Sequence, residues 1–62
     1  MKEFIEVIEL IYKIIQDAQE QGKHGAEITM DLHDETDIIL RILRTHGYLP
    51  AYYDGTLYIL WK

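Results

Sequence analysis

Apolar residues recur at helical spacing along the first third of the chain. Phe4, Val7, Ile8, Ile11, Ile14, Ile15 and Ala18 fall within Lys2–Glu20, which predicts one long helix. Its polar residues Lys2, Glu6, Glu9, Lys13, Gln16, Asp17 and Glu20 gather on one side of the helical wheel. Ile5, Leu10 and Tyr12 widen the apolar side to roughly 220°, about twice the stripe that a helix lying on one sheet requires. Burial from two directions is the expectation. Gln21-Gly22-Lys23-His24-Gly25 follows as a linker, in which Gly22 can end the helix in a left-handed conformation. Lys23 suits the negative end of the helix dipole. Glu27–Leu32 then alternates, with Ile28, Met30 and Leu32 on one face and Glu27, Thr29 and Asp31 on the other. That pattern predicts a half-buried strand.

A second helix is expected to start near His33 or Asp34, with Asp34 capping its free N–H groups and Glu35 and Asp37 matching its positive end. Ile38, Ile39, Ile42 and Leu43 form its apolar stripe, with Leu40 and His46 at the margins, and Asp37 and Arg41 stand as a supportive i, i+4 pair. Gly47 serves as the C′ residue, and Pro50 prevents continuation. The remainder, Gly47–Lys62, reads as a β-hairpin around Asp54-Gly55, because a two-residue type I′ turn needs positive φ at both central positions. Counting outward pairs Tyr53 with Thr56, Tyr52 with Leu57, Ala51 with Tyr58, Pro50 with Ile59 and Leu49 with Leu60. One face then carries Pro50, Tyr52, Leu57, Ile59 and Trp61; the other carries Leu49, Ala51, Tyr58 and Leu60. A sheet covered on one side only alternates apolar with polar. This hairpin does not, so a second chain is expected on its other face.

These elements predict an α+β fold of order α-β-α-β-β in a single domain, 1–62. The β-α-β crossover makes the first two strands parallel and is expected to be right-handed. Inserting the third strand between them gives a three-stranded antiparallel sheet of order 1-3-2 with both helices on one face. Pro50 then lies on an edge strand, where its missing N–H does no harm.

Size sharpens the expectation of a partner. Sixty-two residues stand near the lower limit for independent folding, where a disulfide, a metal or a second subunit usually helps. Cysteine is absent, and His24, His33 and His46 lack the spacing of a structural zinc site. Partner burial remains, consistent with a hydrophobic content of 48%. Six basic residues against eleven acidic ones give a net charge of −5 and a pI near 4.9, which argues against nucleic acid and anionic membrane surfaces as partners. The apolar-rich stretch Phe4–Ile15 is interrupted by Glu6, Glu9 and Lys13, so neither a membrane span nor a signal-peptide core is expected. A cytoplasmic protein is the default, and absent cysteine favours it.

Catalytic chemistry finds little to build on. Serine, asparagine and cysteine are all missing, which removes common nucleophiles and oxyanion donors. His33-Asp34-Glu35-Thr36-Asp37 is the densest polar cluster, and a capped, dipole-matched helix start accounts for it better than a metal or acid–base site. Gly22-Lys23-His24-Gly25 lacks P-loop spacing and follows a helix instead of a strand. Arg41 and Arg44 share a stripe with Asp34 and Asp37, which suits a solvated face better than a recognition helix. The aromatics Tyr48, Tyr52, Tyr53, Tyr58 and Trp61 lack the interleaved Lys or Arg of a base-stacking platform. No catalytic residue, cofactor or metal is therefore expected.

Gln21-Gly22-Lys23, Ile28-Thr29, Leu32, Gly47-Tyr48, Asp54-Gly55 and Trp61 together resemble a pattern of short α/β proteins from phages and prophages of Gram-positive bacteria. The likeness spans Gln21–Trp61. It implies a non-enzymatic protein that binds and blocks a host protein, and it extends to small homodimeric anti-defence proteins of the Hachiman type. Tyr58 and Leu60 depart from the small polar residues expected at those outward positions. No functional residue carries over from the resemblance.

The functional expectation is a self-associating, non-enzymatic interaction module, most simply a two-fold homodimer with a further protein target. Its contact residues are expected to be Ile5, Leu10, Tyr12, Leu49, Ala51, Tyr58 and Leu60. The alternative, a divergent winged-helix DNA-binding protein, requires Ala26–Leu32 to supply a third helix.

Overall fold

The computed structural model describes residues Phe4–Lys62; the predicted helix start at Lys2 lies outside them. Helix α1 (Phe4–Glu20) leads to strand β1 (Gly25–Thr29), a single 3-10 turn (His33–Glu35) and helix α2 (Thr36–Thr45). Strands β2 (Leu49–Tyr53) and β3 (Thr56–Leu60) complete an α+β fold. The sheet is antiparallel with order β1-β3-β2, as the pattern predicts. In the hairpin, Leu49 pairs with Leu60, Ala51 with Tyr58 and Tyr53 with Thr56, the predicted register.

Local chemistry sets the ends of these elements. Gly22 (φ 78°) and Gly47 (φ 91°) take the left-handed conformation after each helix. Beyond α2, Tyr48 N–H donates to the Leu43 carbonyl and Gly47 N–H to the Arg44 carbonyl, closing a Schellman motif. Asp54 (φ 52°) and Gly55 (φ 76°) form the two-residue turn that lets β2 and β3 keep their natural twist.

One core holds both layers together. Ile11 and Ile15 of α1, Ile39 and Leu43 of α2, and Ile28, Leu57 and Ile59 of the sheet are buried against one another, with Leu32 closing the loop before α2. Both helices therefore cover the same sheet face. Pro50 is buried on that face, and β2 is an edge strand. Trp61 N–H donates to the His24 carbonyl and Met30 N–H to the Gly55 carbonyl, so odd-numbered residues of β3 turn their backbone groups toward β1. Thr56, Tyr58 and Leu60 accordingly bond to Tyr53, Ala51 and Leu49, and the backbone at Pro50 points away from the sheet.

Three local expectations are corrected. The first strand is Gly25–Thr29, not Glu27–Leu32. Its alternation does continue, since Ile28 and Leu32 are both buried, but the chain leaves the ladder after Met30. The Tyr52 hydroxyl reaches over from β2, donating to the Met30 carbonyl (2.9 Å) and accepting from Leu32 N–H (3.4 Å), and so takes over where a neighbouring strand would pair. Asp34 does not cap α2. Asp31 instead accepts from His33 N–H (3.0 Å), His33 sits at φ 52°, and the chain enters α2 through the 3-10 turn, where Thr36 Oγ1 donates to the His33 carbonyl. Asp37 and Arg41 are not joined by an ion pair; among the described residues the one contact within 4 Å between a carboxylate and a basic side chain is Asp31–His33.

Ile59→Ala is expected to cost about 2–5 kcal/mol, the usual range for truncating a fully buried aliphatic side chain. A chain of this size has roughly 3–9 kcal/mol in total, so urea unfolding followed by circular dichroism should find the midpoint of this variant lowered to roughly half the wild-type value near neutral pH. Gly47→Ala should cost less, about 1–2 kcal/mol, because it forces an L-residue into the left-handed region without removing core contacts.

Candidate interaction surface

Alternation along each strand sends one set of side chains to the helices and the other outward. The register places the outward set in three rows. Gly25, Leu60 and Leu49 lie side by side across β1, β3 and β2; Glu27, Tyr58 and Ala51 form the middle row; Thr29, Thr56 and Tyr53 form the third. Leu49 is 68% exposed, Leu60 57%, Tyr53 74% and Tyr58 38%. Ala51 is exposed as well. Nine positions thus carry one charge, that of Glu27, beside two exposed leucines and two tyrosines.

Leu60 stands between two open depressions. One, of about 450 Å³, is lined by Lys23, Gly25, Glu27 and Tyr58. The other, about 920 Å³, runs past Leu49 and Trp61 toward His24 and the C′ residue Gly47. Gly25 is required here for space. A Cβ at this position would lie 2.8 Å from Leu60 Cδ2 and 3.1 Å from the Ile59 carbonyl oxygen, so glycine lets Leu60 lean over β1.

Of the residues expected at contacts, Leu49, Ala51, Tyr58 and Leu60 share this face. Tyr53, not among the contact residues expected above, belongs with them; its parity with Leu49 and Ala51 is the signal that places it there. Ile5 (66% exposed) and Leu10 are exposed on α1, and five residues of helical rotation set them on opposite flanks of its core stripe. They do not extend the sheet surface. Tyr12 is half-buried and engaged within the chain. Its hydroxyl shares a 2.6 Å hydrogen bond with His46 Nδ1, and its ring meets those of His46 and Tyr48 edge-on at 5.9 and 6.0 Å. Tyr48 continues the series to Trp61 at 6.1 Å, whose indole N–H donates to the Lys23 carbonyl. Four aromatic rings therefore tie α1, the end of α2 and the end of β3 together.

The remaining polar clusters show no assembled site. Among the described residues, no group of three His, Cys, Asp or Glu side chains is placed to hold a metal ion. The Lys23 and His24 carbonyls of the glycine-containing linker are occupied by the indole and backbone N–H of Trp61. Among the described residues, no helix is long and apolar enough to cross a membrane. Ala26–Leu32, from which a winged-helix arrangement would need a third helix, forms β1 and the loop after it. Comparison with protein-family models, with curated proteins and with solved structures finds no match.

Burial, and secondarily the neighbouring Tyr48, raises the Tyr12 pKa above its ordinary value of 10.0. The folded protein holds this proton more tightly than the unfolded chain does. The associated stability is intact below the ordinary value and is lost as pH rises through the higher folded value. Between about pH 9 and pH 11, spanning the ordinary tyrosine range, urea midpoints of the wild type should fall more steeply than those of Tyr12→Phe. Equal slopes would show that the Tyr12 phenol is not coupled to folding.

Proposed function

We propose that this chain is a non-enzymatic interaction module that pairs with a second copy of itself and docks on another protein. One observation carries the reading: the outward face of the sheet exposes Leu49, Leu60, Tyr53 and Tyr58 with a single charge among its nine positions. Tyrosine and leucine in a charge-poor patch have the composition of an interface centre, where tyrosine buries area at low entropic cost while keeping a polar tip. The helices already occupy the opposite face, so no element of the described fold is left to cover this one.

The acidic balance gives the module its second surface. With the sheet engaged, the outward side of α1 presents Glu6, Glu9, Asp17 and Glu20 beside a single Lys13, whereas Arg41 and Arg44 balance the acids at α2. Such a surface favours a basic target and approaches it quickly through long-range attraction. The resemblance of Gln21–Trp61 to short phage proteins supports one setting for this activity: a phage-encoded inhibitor, of the anti-defence kind, acting on a host bacterial protein in the cytoplasm.

Sedimentation equilibrium should show concentration-dependent dimers at about 100 μM, in keeping with a small interface of micromolar affinity. Tyr58→Lys combined with Leu60→Lys places two charges per protomer at the centre of the contact and should leave a folded monomer. A wild type that stays monomeric, or a double variant that assembles as the wild type does, would rule out self-association through this face.

A further inference from the structure

Resting on the self-association reading above, we infer that the two copies meet sheet to sheet about a two-fold axis running parallel to β3. The register alone discriminates among the ways two such faces can be superposed. Both sheets are twisted alike and pack at about 10 Å with their strands nearly aligned. A two-fold in the plane between them then has two simple orientations, along the strands or across them.

An axis across the strands turns the rows over. It sets Glu27 against the partner's Glu27, opposes Leu49 to the partner's Tyr53, both large, and lays Leu60 on the partner's Thr56. An axis along β3 keeps each row and exchanges the edge strands. Leu49 then faces the partner's Gly25, Ala51 faces the partner's Glu27, and Tyr53 faces the partner's Thr29. Each edge pair sets a large side chain against a smaller one, which is how interdigitating layers reach native packing density. Leu49, the more exposed of the two leucines, then lies over the open depression of about 450 Å³ beside Gly25, where it meets the Leu60 side chain that leans across β1. On the axis itself, Leu60 and Tyr58 pack against their own copies, and no acidic side chain faces another.

Charge points the same way. Each chain carries a net charge of −5, so the copies approach with least repulsion through the face that holds only Glu27. Glu27 lies on edge strand β1, so its carboxylate stays at the rim in contact with water. Three strands of five residues make a face of roughly 14 by 17 Å. That is well under the ~800 Å² per partner of a standard interface, so the pairing is of the weak, transient class.

Exchange of charge at Ala51 tests the axis, because this exposed position tolerates a long side chain without disturbing the core. Dimer dissociation constants would be measured by sedimentation equilibrium for the wild type, Ala51→Glu, Ala51→Lys, and Ala51→Glu with Glu27→Lys. Ala51→Glu should weaken the dimer about tenfold or more, by opposing the partner's Glu27. Ala51→Lys should hold or tighten it, and the double variant should recover to within about threefold of the wild type. If Ala51→Glu and Ala51→Lys weaken a dimerising protein alike, or the double variant fails to recover, the axis is wrong while self-association stands. A wild type that remains monomeric at about 100 μM, its sheet face reserved for a different protein, overturns both.

Discussion

Strand β3 is the constraint on which the rest of the structure depends. It is the middle strand of three, its backbone groups are shared between both neighbours, and its side chains Leu57 to Leu60 are apolar or aromatic on both faces. Leu57 and Ile59 are wholly buried beneath the helices, in contact with the aliphatic residues of α1 and α2. Tyr58 and Leu60 point the other way and have nothing above them. A central strand that is greasy on both sides belongs in the interior of a three-layer arrangement. The described fold supplies two layers. The third is what the proposed pairing provides.

The two edge strands explain why sheet faces, not sheet edges, are the better route to assembly. The backbone at Pro50 points outward from β2 without an N–H, which interrupts the row of donors that a new strand would need. On the other edge, β1 is only five residues long and carries Glu27. Two copies joined through β1 in antiparallel fashion about Glu27 would set two like charges side by side, whereas the face is nearly free of charge. Edges blunted in this way leave the hydrophobic area of Leu49, Tyr53, Tyr58 and Leu60 as the main unspent driving force for association.

What was legible in the sequence was whatever short-range chemistry decides. Asp54-Gly55 fixed the hairpin register because few residues accept positive φ twice in succession, and once the turn was placed, every outward and inward position of β2 and β3 followed by parity. Gly22 and Gly47 marked the helix ends for the same reason. Long-range choices were hidden. Nothing near Met30 in the sequence indicates that the chain leaves the ladder there, because the group responsible is the Tyr52 hydroxyl, twenty-two residues away. Asp31, not Asp34, shapes the entry to α2, because His33 takes a left-handed conformation that local propensity does not favour. Tyr12 was expected at an interface from the width of the apolar arc on α1, yet it packs against His46 and Tyr48, which only the tertiary fold brings near. The width of that arc thus has two separate origins: one flank meets the aromatic series, and the other leaves Leu10 at the surface.

The aromatic series and the open face are also connected. Trp61 directly follows Leu60, its indole and backbone N–H groups both bind the linker after α1, and its ring is supported by Tyr48 at the end of α2. These contacts hold the last residues of β3 in register. Leu60 is thereby held over Gly25, and Leu49, its neighbour across the ladder, is held beside it. A surface meant only for solvent would gain little from such bracing. A surface that must present two leucines at fixed positions to a matching face gains directly, since side chains already ordered lose less entropy on contact. The helix-side aromatic contacts therefore fix the geometry of the outer face at its Leu49 and Leu60 row.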